Sequence, residues 1–241
     1  MHLGKYQCGT FVGSVKRRWP SGSVVALGCF LLAQCGSFLE ILPGADIPGG
    51  IVLEDFEKQG TATFPKNWWS GGSVAELIYR IEAEAANHYL HARAENRGVP
   101  IGLEYVFNPK KLQQLRWRWR VRTLPSGADE RKAEKHDAAA QVYVIFDNRY
   151  WPRVIKFIWS ASLPVGTRFT NPLYDRGRVV VLRSGPLDKA TWYDERVNFY
   201  AEYKKFFGNE PGEVQGIGIL TSSDSTKSAA AADYDDFVLL P

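Results

Sequence analysis

Leu115-Arg116-Trp117-Arg118-Trp119-Arg120-Val121-Arg122 is the stretch on which the fold turns. Successive side chains of a β-strand point to opposite faces, so Leu115, Trp117, Trp119 and Val121 share one apolar face. The other face carries four guanidinium groups. One reading is an arginine-lined groove for an anionic or hydroxylated ligand, because the guanidinium fork holds carboxylates and hydroxyls bidentately. The plainer reading is a solvent-facing strand whose arginines pair across to neighbours such as Glu104. No acidic strand stands close by in the sequence. Val142-Tyr143-Val144-Ile145-Phe146 and Val179-Val180-Val181-Leu182 are apolar throughout, as in strands covered on both faces. Lys156, Arg183 and Glu195 fall on neighbouring candidate strands. With Arg118, Arg120 and Asp224 they make up the candidate ligand-binding residues.

Outward from this strand the chain repeats the pattern. Short strands are expected at 51–57, 74–83, 87–94, 101–107, 115–122, 139–147, 153–160, 178–183, 192–197, 214–221 and 234–240. Turn chemistry separates them, as in Ser70-Gly71-Gly72, Asn108-Pro109, Leu163-Pro164-Val165-Gly166 and Glu210-Pro211-Gly212. Many short strands at fairly regular spacing predict an all-β sandwich. One short helix is expected near 197–207, where Val197, Tyr200, Tyr203, Lys204 and Phe207 fall at helical spacing and Gly208 supplies the stop. The charged run from Glu130 to Ala140 reads as an exposed loop with some helical character. Residues 51–241 read as a single domain.

The chain has 241 residues, enough to bury a full core, and its 13% aromatic content excludes a disordered or fibrous protein. No apolar run reaches the ~20 residues of a membrane-spanning helix. Lys5, Lys16, Arg17 and Arg18 stand without an acid in residues 1–37 and account for the whole net charge of +4. The neutral remainder lacks the positive field of a nucleic-acid binder. Residues 1–37 read as a signal peptide. Lys16-Arg17-Arg18 precedes an apolar stretch from Ser23 to Ala33, and Cys35 and Ser37 suit cleavage after Ser37. Residues 38–50 form a Pro/Gly-rich linker, and a periplasmic or secreted address follows. Leu32-Ala33-Gln34-Cys35 makes a poor lipobox, because Gln34 sits where a small residue belongs. Cys8, Cys29 and Cys35 all precede the domain, which leaves it no disulfide, thiol nucleophile or cysteine-based zinc site.

Several segments carry a family resemblance. Ile51-Val52-Leu53-Glu54-Asp55-Phe56-Glu57, Phe64-Pro65-Lys66-Asn67-Trp68-Trp69, the arginine strand, Ile155-Lys156-Phe157-Ile158-Trp159-Ser160 and Val181-Leu182-Arg183-Ser184-Gly185 resemble a bacterial family known as domain of unknown function 3047. Gly216-Ile217-Gly218 through Thr226 and Ala232-Asp233-Tyr234-Asp235-Asp236-Phe237 match it as well. The resemblance spans roughly 50–240 and implies an exported bacterial protein without an established activity. A first strand with Asp-Phe-Glu and a last strand with Tyr-Asp-Asp-Phe is also similar to the galactose-binding-like jelly rolls, which include many carbohydrate-binding modules. In those folds the terminal strands are neighbours.

That pairing implies a structural Ca²⁺ site. Asp55 and Glu57, two apart on the first strand, would meet Asp235 or Asp236 on the last, and crowded carboxylates call for a hard cation. In the alternative reading Asp235 and Asp236 face water, or a Lys or Arg fills the gap. Other chemistry is sparse. His88 and His91 point to opposite faces of a strand, and Gly216-Ile217-Gly218 reads as strand glycines for close packing. Carboxylates are plentiful, but only the fold brings two to the ~5–9 Å of a glycosidase pair. Trp68, Trp69 and Trp151 lie in or beside turns, placed either to stack on a sugar ring or to plug the sandwich ends. The favoured function is a non-catalytic β-sandwich that binds a carbohydrate or cell-envelope ligand. The alternatives are a protein–protein assembly or adaptor domain, and a polysaccharide-active enzyme with Arg118, Arg120 and Glu195 in a cleft.

Overall fold

The computed structural model describes residues 49–147, 150–186 and 188–241. The expected signal peptide, the three cysteines and most of the 38–50 linker lie outside them. Two sheets pack face to face. The first holds β1 (Ile51–Glu54), β3 (Tyr79–Glu84), β4 (Asn87–Glu95), β6 (Gln114–Thr123), β11 (Tyr193–Asn198) and β13 (Ala229–Leu240). Its order is β11-β6-β13-β4-β3, with β1 also on β13. The second holds β2 (Trp68–Ser70), β5 (Ile101–Phe107), β7 (Ala140–Phe146), β8 (Arg153–Ser160), β9 (Arg168–Thr170), β10 (Gly177–Ser184) and β12 (Val214–Leu220). Its order is β2-β5-β12-β7-β8-β10-β9. Among the described residues the strands pair antiparallel, apart from β8 with β10. This is an all-β jelly-roll sandwich, and its terminal strands pair as the resemblance implies.

The alternating strand decides the core. Leu115, Trp117 and Trp119 are fully buried between the sheets. Trp117 packs on Phe157 with ring centroids 6.0 Å apart, and Trp119 on Trp159 at 5.9 Å, so indoles of β6 lock onto β8 of the opposite sheet. Buried aromatics of this size remove 150–250 Å² each from water and dominate such a core. The helix α1 (Phe199–Phe207) closes one end. The Asn198 side chain caps it by accepting from the Ala201 amide at 2.7 Å, and Gly208 ends it at φ 71°. Phe199 and Tyr203 of α1 pack on Phe146.

Several expectations change, among them the first strand, predicted to reach residue 57, which ends at Glu54. The strand predicted at 74–83 begins at Tyr79, because Ala75–Leu77 forms a 3-10 turn after Gly71-Gly72. The last strand begins at Ala229 rather than at 234. Alanine is a poor strand former, yet Ala230 and Ala232 are fully buried, and pairing on both sides of the strand overrides the local preference. The 130–140 segment is not simply an exposed loop. Its Glu130, His136 and Asp137 are buried, and the Glu130 carboxylate accepts from Ser160 Oγ at 2.8 Å and from the Ala161 amide at 3.1 Å.

Candidate functional site

The arginines of β6 face outward from the first sheet, and their acidic counterpart is β13. The ladder sets Arg120 opposite Asp233 and Arg118 opposite Asp235. Asp233 is fully buried and accepts from Arg120 Nε at 2.7 Å, Arg122 Nε at 2.8 Å and His91 Nδ1 at 2.6 Å. Burial alone would raise its pKa, but the bonds from His91 and Arg120 hold it below the usual carboxylate range. Arg118 pairs with both Asp235 (2.7 Å) and Asp236 (3.0 Å), Arg116 with Asp194 (2.9 Å), and Arg120 also with Glu84 (2.6 Å). Half-buried Trp192 covers the network, its ring 4.3 Å from the Arg120 guanidinium and 4.9 Å from that of Arg118. This is an ion-paired lattice rather than a groove. The partner is not Glu104, which lies on β5 of the other sheet.

The six candidate ligand-binding residues therefore fall in four places. Arg118 and Arg120 belong to this lattice. Arg183 Nε donates to Glu195 at 2.5 Å, tying β10 of one sheet to β11 of the other. Glu195 turns inward, where it also accepts from Trp119 Nε1 at 3.0 Å and burial raises its pKa. Lys156 lies on the outer face of the second sheet, 4.6 Å over the Tyr143 ring. Asp224 sits in the turn between β12 and β13.

The expected cation site is likewise rearranged. β1 ends at Glu54, so Asp55 and Glu57 lie in the following turn rather than on one strand face. There Glu54 accepts from the Phe56 amide, and Phe56 takes φ 56°. Glu57 accepts from the His88 amide, and the Arg118 guanidinium fills the space between Asp235 and Asp236. Among the described residues no three His, Cys, Asp or Glu gather as a metal-binding group. The arginine alternative holds here. Burial, then the neighbouring Asp236, pushes Asp235 up to about 7.

A different constellation lies on the outer face of the second sheet. Five residues stand in register across five strands: Trp69, Gly102, Gly218, Tyr143 and Lys156. A Cβ at Gly102 would come within 2.3 Å of the Trp69 ring, and one at Gly218 within 3.1 Å of Tyr143 Cδ2. Two adjacent glycines thus form a floor over which the two rings lean. Trp69 is half-buried, Tyr143 is almost covered, and buried Gln141 accepts from the Tyr143 hydroxyl at 3.2 Å. Beside this row Trp69, Glu104, Val106, Ile145, Pro152 and Gln215 border a groove of about 50 Å³, room for a water or two rather than an engulfed ligand. Near its Pro152 rim in sequence, Tyr150 and Trp151 are 72% and 65% exposed. Trp68 turns the other way, into the core against Phe56. Trp69 and the 216–218 glycines are conspicuous in the sequence. Gly102, which meets Trp69, gives no signal there.

The family described as "Protein of unknown function (DUF3047)" matches residues 68–238. The chain belongs to it. No curated protein sequence matches. Solved structures with some likeness include the family 11 carbohydrate-binding module of a Clostridium thermocellum cellulosomal cellulase. It is 9% identical with a TM-score of 0.39, over 80% of this chain and 94% of that one. The carbohydrate recognition domain of Emp47p is 12% identical with a TM-score of 0.45, over 82% and 99%. TmCBM61 in complex with β-1,4-galactotriose is 10% identical with a TM-score of 0.38, over 78% and 94%. The sandwich architecture rests on the strand pairing itself.

Proposed function

We propose that this DUF3047 protein is an exported, non-catalytic module that binds a carbohydrate or cell-envelope glycan on the outer face of its second sheet. The observation that carries the reading is the Trp69 indole held over Gly102 at the edge of an open groove, beside the Glu104 carboxylate and Gln215. An aromatic face with nearby hydrogen-bonding groups suits a sugar ring, which is apolar on its faces and polar around its rim. A shallow, open groove suits a polymer lying across the sheet. The carbohydrate-binding proteins named above agree with this reading but add no independent weight. An arginine-lined catalytic cleft finds no support, since Arg118 faces outward in an ion-paired lattice while Glu195 turns into the core.

Screening the purified protein against neutral and acidic polysaccharides tests the proposal. The expected result is binding that Trp69→Ala weakens at least tenfold, about 1.4 kcal/mol, while Arg93→Ala on the exposed face of the other sheet leaves it unchanged. Silence across the whole panel, or binding indifferent to Trp69, removes the reading. Capture of a polypeptide through the same rim would point to the adaptor alternative. Export is tested by the mass of the protein in cell fractions, with loss of residues 1–37 expected.

A further inference from the structure

One row of paired residues marks the end of the second sheet that α1 closes. Phe107 pairs with Val214, Val214 with Phe146, Phe146 with Arg153, and Val154 with Gly177. The connections 108–113, 147–152, 171–176 and 208–213 therefore all leave from that end. Two of them are fastened together, since the Tyr174 hydroxyl donates to the Pro152 carbonyl and the Val154 amide to the Arg176 carbonyl at 3.2 Å. On this joined base Tyr150 is 72%, Trp151 65% and Leu173 61% exposed, so large rings and an aliphatic side chain stand out into water.

Behind them stand three arginines with one carboxylate among them. Arg153 Nε and Arg176 Nη2 lie 3.7 and 3.8 Å from the same Asp147 Oδ2, too far for hydrogen bonds. The buried Nε of Arg176 has no hydrogen-bond partner among the described residues. Arg178 donates to the carbonyls of Asp175 and Gly177, and among the described residues it pairs with no carboxylate. Phe207 props the guanidinium groups of Arg153 and Arg178, each 4.8 Å from its ring. On the neighbouring connections Lys110 and Lys111 are exposed, Glu210 is paired with Lys204 at 2.7 Å, and Asp175 and Glu213 are exposed acids. The balance stays positive. A projecting apolar summit above cations is complementary to a phospholipid layer, which is anionic at its surface and apolar just beneath.

We propose that this end of the sandwich docks on an anionic phospholipid surface. Tyr150, Trp151 and Leu173 enter the headgroup region, and Arg153, Arg176 and Arg178 meet the phosphates. Three side chains bury too little apolar area for permanent anchoring, so the contact is peripheral and reversible. It is independent of the glycan reading of the Trp69 face.

The test is co-sedimentation of the purified protein with vesicles of phosphatidylcholine, alone or with about 30% phosphatidylglycerol. Binding should require the anionic lipid and weaken severalfold as salt rises from about 0.1 to 0.5 M. Joint replacement Tyr150→Ser and Trp151→Ser should weaken it roughly tenfold, and Arg176→Gln about fivefold. Arg93→Ala on the first sheet should leave it unchanged. The tip substitutions change largely exposed side chains, so a wild-type urea midpoint separates lost docking from lost folding. Failure to bind either vesicle, or equal binding to both, overturns the proposal. So does anionic binding indifferent to the tip and arginine variants, which would place the contact elsewhere in the chain, and so does capture of an acidic polysaccharide in place of vesicles through the same side chains.

Discussion

Asp233 is one buried carboxylate that answers two arginines and a histidine, so its removal is the most informative perturbation of the first sheet. Asp233→Ala deletes hydrogen bonds of 2.6, 2.7 and 2.8 Å to His91, Arg120 and Arg122. Each charge-assisted bond contributes about 1.5–3 kcal/mol, and these contributions do not add. Afterwards Arg120, 1% exposed, has Glu84 as its remaining charged partner, whose side chain is 59% exposed and so offsets little, beside a long bond to the Ala190 carbonyl and the Trp192 and Tyr89 rings. A buried charge stripped of its partner costs about 3–5 kcal/mol. For a domain of this size that lowers the melting midpoint by roughly 6–20 °C. Urea denaturation should show the loss as a shifted midpoint at constant slope. Replacing Arg120 by Met in the Asp233→Ala background should recover part of it, because the stranded charge then goes too. A loss below about 1 kcal/mol, or no recovery in the double variant, would refute the view that Asp233 neutralises the arginine face.

Three further outcomes are expected. Asp235, raised to about 7, confers stability that is full below the unfolded value near 4 and lost as pH rises through 7; urea melts should show Asp235→Asn flattening the fall between about pH 4 and 7, whereas Asp233, held low, loses its contribution only as acid protonates it. Gly102→Ala places a methyl 2.3 Å from the Trp69 ring, which must retreat by about 1 Å to reach ordinary contact. Tryptophan fluorescence should report the shift, and glycan binding should fall with only about 1–3 kcal/mol of stability lost; an unchanged spectrum would contradict the packing. Asn198→Ala removes the cap of α1 and should cost about 0.5–2 kcal/mol by urea denaturation.

The sandwich is legible because strand alternation is a local property. Leu115 to Arg122 announces both of its faces, and Val197 to Gly208 announces α1. Partnership is not local. The carboxylate that answers Arg120 lies 113 residues further on, so four arginines in a row look unmatched until β13 is laid beside β6. The same reason hides the candidate binding face, since Trp69, Gly102, Gly218 and Tyr143 come from four strands and mean nothing singly. The first carboxylate cluster was misplaced by a backbone detail. The irregularity between Val52 and Glu54 and the left-handed Phe56 end β1 early and carry Asp55 and Glu57 off the strand.

The central position of β13 governs how the molecule assembles. It joins β6 along one side, and β4 and then β1 along the other. In synthesis, residues 229–240 must emerge before the first sheet has a middle. Until then β4 and β6 have no shared neighbour, and the arginines of β6 stay hydrated in place of the carboxylates that later bury them. Hairpins such as β3–β4 and β7–β8 can form early, but sheet closure waits on contacts of very long sequence separation and is correspondingly slow. The first sheet therefore closes only when β13 takes its place between β4 and β6.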